Sequence, residues 1–169
     1  MNRSTLWIAA LALLLVGLGS WFYLHTDDSR LIRRQLAQLS ELANKEEQEP
    51  PLKALQRAAR IGKAFSDPCL LELADHQLQG SYSRKELVDQ IFLIRRQSSQ
   101  LRVELYDLSI TIDQGQQSQP EATVAATLVA AGLEGDDQPP LAEELQLHLN
   151  QEQGEWLIDS VRFNTVLER

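Results

Sequence analysis

The chain has one cysteine, one methionine, three histidines, and aromatic residues at only 6% of its 169 positions. A lone Cys69 cannot form an internal disulfide, and a zinc site built on cysteines is excluded. Beside Leu70 and Leu71 it reads as a small buried side chain. His25, His76 and His148 are scattered, with no H-x-x-x-H or H-E-x-x-H spacing, so the sequence offers no metal site. No phosphate-binding motif, internal repeat or low-complexity linker occurs, and no cofactor is implied. Positive charge is also scarce: a net charge of −8 and a pI near 4.9 argue against nucleic acid as the main partner.

What is present begins with one long apolar stretch. Leu6 to Leu24 is a run of 19 uncharged residues, bracketed by Arg3 and by Asp27-Asp28. As a helix it spans roughly 28 Å, about the hydrocarbon thickness of a bilayer. Trp7 at one end and Trp21, Phe22 and Tyr23 at the other stand where an aromatic belt forms. A cleaved signal peptide is the competing reading. Gly17 and Gly19 offer small residues, but there is no A-x-A pattern and the apolar run continues past them. The expectation is therefore an uncleaved signal-anchor over residues 1–25, contacting the bilayer through residues 6–24. It would leave a domain at 26–169 on the extracytoplasmic, periplasmic side of an inner membrane. The arginines Arg30, Arg33 and Arg34, just beyond the run, weaken that choice of side.

Thr26 to Ser29 supply helix caps, and Ile32, Leu36, Leu39 and Ala43 form the apolar stripe of a first helix to about Lys45. Pro51 suits the first position of a second helix through Phe65, in which Gly62 allows close packing. Ser66-Asp67-Pro68 closes that helix. Cys69 to Leu78 reads as a short strand or irregular hairpin, with a turn at Gly80. Ser83 and Glu86 make a capping box for a third helix with an inner stripe of Leu87, Ile91 and Ile94. Arg95 and Arg96 then complement that helix's own negative end.

Leu101 to Leu167 reads as four antiparallel strands in one meander, joined by short polar turns. Apolar residues alternate in each strand, as in Val124, Ala126, Leu128 and Ala130, or Leu145, Leu147 and Leu149. The alternation slips by one residue at Tyr106-Asp107 and again at Asp159-Ser160, which predicts two β-bulges and a strongly curved sheet. Charge follows the same division. Arg30 to Ser98 holds 12 basic and 9 acidic residues, net +3; Ser99 to Arg169 holds 3 basic and 13 acidic, net −10. Both halves read first as solvated faces, and secondly as an acidic outer sheet face that meets a basic partner.

Three helices with a short strand before the last, four curved antiparallel strands, and an ending Gly154-Glu155-Trp156-Leu157-Ile158 resemble the nuclear transport factor 2-like (NTF2-like) superfamily. The resemblance covers about Arg30 to Leu167. It implies an α+β cone in which three helices pack on a curved, mostly antiparallel sheet of four to five strands, with a pocket at the open end. That superfamily includes ketosteroid isomerase, polyketide cyclases of the SnoaL type, and binding or assembly domains without activity. Two membrane-anchored groups are similar in layout: inner-membrane assembly subunits of type IV secretion systems and Mce-associated membrane proteins. The isomerase uses an aspartate base and a tyrosine that donates to the oxyanion, as the standard account of that enzyme describes. Here the first helix has no tyrosine, Asp67 reads as a turn residue and Asp75 as a solvated loop residue. The expectation is a binding or scaffolding domain without catalytic residues, acting through protein contacts with a partner or in a homodimer. Glu143 and Glu144 are the candidate partner surface. The alternative is a small-molecule pocket protein, an isomerase or cyclase of the same fold, with His76, Tyr82 and Tyr106 at the pocket mouth.

Overall fold

A computed structural model describes residues 28–73, 78–113, 119–132 and 139–164. The chain divides into two units between Arg34 and Gln35. Of the first unit only residues 28–34 are described. They are helical, and Ile32 is buried. The apolar run Leu6 to Leu24 lies outside the described residues, among which no helix is long and apolar enough to cross a membrane.

The second unit opens in helix α1, here its residues 35–43. Leu36 is buried and Leu39 and Ala43 half-buried, as their spacing requires. Two side chains fix this segment to the ends of two strands. The Gln35 amide donates to the Trp156 carbonyl at 2.8 Å, and the Ser40 hydroxyl donates to the Val103 carbonyl. Helix α2 (Pro51–Gly62) opens on Pro51, whose fixed φ suits a first helical residue. It ends at Gly62 rather than at Phe65, and Ala54, Ala58 and Ile61 are its buried row. A Cβ on Gly62 would lie 2.4 Å from Val88 Cγ2 of helix α3 (Arg84–Gln97), so glycine sets how closely the two helices approach. The capping box of α3 is formed: the Glu86 amide donates to Ser83 Oγ at 3.3 Å, and the Ser83 amide to the Glu86 carboxylate at 2.8 Å.

Among the described residues the sheet has six strands, not four to five. In chain order they are β1 (Phe65–Leu73), β2 (Leu78–Tyr82), β3 (Arg102–Asp113), β4 (Glu121–Ala131), β5 (Leu141–Glu152) and β6 (Glu155–Asn164). In space the order is β2-β1-β6-β5-β4-β3, antiparallel except for the β1–β6 pair. The stretch read as a short strand or irregular hairpin is a two-stranded hairpin. Gly80 stands inside β2, opposite Leu71, rather than in a turn. Ser66, Asp67 and Pro68 belong to β1, where the Asp67–Pro68 peptide is cis. β3 to β6 form the expected meander, and both phase slips are bulges. The β3–β4 register shifts between Tyr106 and Ser109, with Asp107 at φ 53°. The β5–β6 register steps from Ser160 to Ile158 and skips Asp159. The inward rows hold Ala122, Val124, Ala126, Leu145, Leu147, Leu149, Trp156, Ile158 and Val161, all buried.

Candidate binding surfaces

Strand alternation decides where each candidate residue stands. Glu143 pairs with Leu128 in the inward rows and is half-buried; Glu144 pairs with Thr127 on the opposite, outer face and is exposed. Successive residues of a strand point to opposite faces, so the two glutamates do not form one surface. Tyr82 is half-buried on β2 and Tyr106 is 49% exposed on β3. These are the two edge strands, with four others between them, and the sheet does not bring the two tyrosines together. His76 lies outside the described residues.

The outer face of the meander is open. Glu104, Tyr106, Ser109, Thr111, Ala125, Glu144 and His148 are all exposed there. The Tyr106 hydroxyl donates to the Glu104 carboxylate. That bond, followed by the carboxylate's charge, raises the Tyr106 pKa, so its proton is already committed. Around the β3 bulge lies a depression of about 290 Å³ lined by Asp107, Ala125, Ala126, Thr127, Glu144, Leu145 and Gln146. Ala125 and Thr127 are short, and the bulge turns Asp107 out of the regular row. Two carboxylates, those of Asp107 and Glu144, therefore border the hollow.

On the inward side, Leu105, Leu108, Ile110, Ile112 and Leu128 are only half-buried. Glu143 is the one carboxylate among the described residues of those rows. Sequence reasoning passed over it there because a glutamate in an apolar row breaks the alternation that defines the row.

The most buried charge is elsewhere, and periodicity missed it. Arg95 is 1% exposed, whereas Ile94, expected inside, is 40% exposed. The Arg95 guanidinium does not serve its own helix. It donates to the carbonyls of Leu42, Ala43 and Asn44 at 3.0, 2.6 and 3.1 Å, capping the end of α1. Its other contacts reach the Glu49 carboxylate at 2.9 to 3.1 Å. Arg57 approaches the same carboxylate at 3.4 Å. Lys45 returns the favour to α3, donating to the carbonyls of Arg95, at 2.7 Å, and Ser98. Asp67 accepts a 3.2 Å bond from the Arg84 amide at the start of α3. Cys69 is wholly buried, and burial first, then the charge of Asp159, pushes its thiol up to about 12.

No protein-family model matches the chain, and no curated protein matches it. Solved structures do. One is a putative scytalone dehydratase from Novosphingobium aromaticivorans, with a TM-score of 0.64 and 14% identity over 85% of this chain and 87% of that one. An NTF2-like protein with a cystatin-like fold from the same organism gives 0.62 and 10% over 92% of each chain. ActVI-ORFA from Streptomyces coelicolor gives 0.56 and 11% over 85% of this chain and 98% of that one. At these identities the likeness is one of fold.

Proposed function

We propose that residues 26–169 form a binding domain that works through protein contacts and is held at a membrane by residues 6–24, on its extracytoplasmic side. The observation that carries the proposal is the open, acidic outer face with its hollow between Asp107 and Glu144. An exposed sheet face that exceeds its basic residues in carboxylates attracts a basic partner and repels a second copy of itself. A projecting lysine or arginine of that partner fits the hollow. Glu144→Lys places a like charge there without touching the inward rows. The full-length chain, released from its own membrane, should co-purify with a basic protein that Glu144→Lys loses. Equal recovery with both chains would remove the outer face as the contact surface.

A second reading rests on Glu143. A carboxylate in one row with half-buried Leu128 and Leu105 suits an apolar ligand with one polar group, the composition of many small-molecule sites. The putative scytalone dehydratase and ActVI-ORFA share this fold. Apolar and aromatic compounds should then raise the melting temperature of the full chain, and Glu143→Gln should change which compounds do so. A screen without a stabilising compound would set this reading aside.

A further inference from the structure

On the helical side a second groove has the opposite charge. Its volume is about 540 Å³, and its walls are Gln38, Glu41 and Leu42 of α1 and Lys53, Gln56, Arg57 and Arg60 of α2. Lys53, Arg57 and Arg60 are spaced four and three residues apart, so they share one face of α2 in a row about 10 Å long. Glu41 is the only carboxylate lining the groove. Arg57 is already held in place: it donates to the Asn44 carbonyl at 2.6 Å and leans on Glu49. Glu49, however, is the bidentate partner of Arg95. Two guanidiniums share one carboxylate, so a positive charge is left over at the groove wall. Lys53 and Arg60 are exposed and make no ion pair among the described residues.

We propose that the groove between α1 and α2 binds an extended acidic peptide segment of a partner protein, with Lys53, Arg57 and Arg60 as the cations that receive its carboxylates. The charge balance selects an anion, and the row of three cations along α2 selects an elongated one. Lys53 and Arg57 are about 6 Å apart along the helix, close to the spacing of alternate side chains on an extended strand. A single phosphate reaches one such pair and leaves the rest of the groove empty. Gln38 and Gln56 add amide groups that match a peptide backbone in both donors and acceptors. Leu42 gives the groove an apolar contact. The proposal is independent of the outer sheet face, which lies on different elements.

The test is fluorescence anisotropy on the full-length chain in detergent micelles. The probe is a short labelled peptide of alternating glutamate and leucine; the control replaces each glutamate with glutamine. The glutamate peptide should bind at low salt and weaken as salt rises. The double variant Lys53→Gln/Arg60→Gln should weaken it by about ten-fold, the scale of losing two partly exposed charge contacts. Both residues are on the surface and Arg57 is retained, so an unchanged circular dichroism spectrum and melting temperature are expected. Glu144→Lys should leave peptide affinity intact, which separates this site from the outer face. Equal affinity of wild type and double variant, or of the two peptides, would overturn the proposal. So would displacement of the peptide by inorganic phosphate at matched charge, since that is the mark of a small-anion site.

Discussion

Arg95 shows how much one side chain can hold together. Its guanidinium closes the end of α1, binds Glu49 before α2, and does both from the last turn of α3. Removing one partner of a buried ion pair leaves the other desolvated, which costs roughly 3–5 kcal/mol. Arg95→Met should lower unfolding free energy by about that amount in urea titrations. Arg95→Lys should also be clearly destabilised, because an ammonium cannot replace a planar fork that serves a carboxylate and three carbonyls. Cys69 acts by the opposite principle, a group kept neutral by burial. Its thiol is pushed up to about 12. Between the ordinary thiol value and that point, the unfolded chain has lost a proton that the folded chain keeps. Stability therefore falls as pH rises through this window. Alkaline unfolding curves should show the slope, and Cys69→Ala should lack it. A thiol reagent at mildly alkaline pH should label Cys69 only once denaturant is added.

At the scale of elements, the bulges and the helix contact are the informative parts. A missed beat in apolar alternation is visible in a string of letters, so the slips at Asp107 and Asp159 were legible before any coordinates. Gly62 was legible too, as a small residue in an apolar stripe. Its neighbour was not. Val88 Cγ2 stands 2.4 Å from where a Cβ would be, and valine has little rotamer freedom to withdraw. Gly62→Ala should cost about 1–3 kcal/mol by thermal denaturation. Adding Val88→Ala to that variant should recover much of the loss, a coupling that only contacting residues show. The stripe of α3 holds at Leu87 and Ile91 and departs at Ile94 for a physical reason. Periodicity weighs residues by hydrophobicity, so it chose Ile94 over Arg95. What decides burial is whether a charge finds partners, and Glu49 lies 46 residues away in the chain.

For the whole molecule, the division of charge is the feature on which both proposed contacts rest. The basic excess before Ser99 becomes, in part, a groove between α1 and α2; the acidic excess after it becomes the outer face of a sheet. Two oppositely charged surfaces are what the two proposed contacts, one with a basic and one with an acidic partner, require. The proposed membrane anchor has its own test. Full-length chain should stay with membranes after alkaline carbonate washing, while a chain of residues 28–169 should appear in the soluble fraction. Release of the full chain by carbonate would remove the anchor.

The order of helices and meander strands, both bulges, the capping box and the charge division follow from the sequence by itself. Each is a local pattern, set by periods of 2 and 3.6 residues and by neighbours in the chain. Only tertiary structure decided the rest: the choice of a β1–β2 hairpin over a single strand and its parallel pairing with β6, the separation of Tyr82 from Tyr106, the division of Glu143 and Glu144 between two faces, and the burial of Arg95. These depend on contacts between residues distant in sequence, and the free energy of such a contact is not a property of either residue alone.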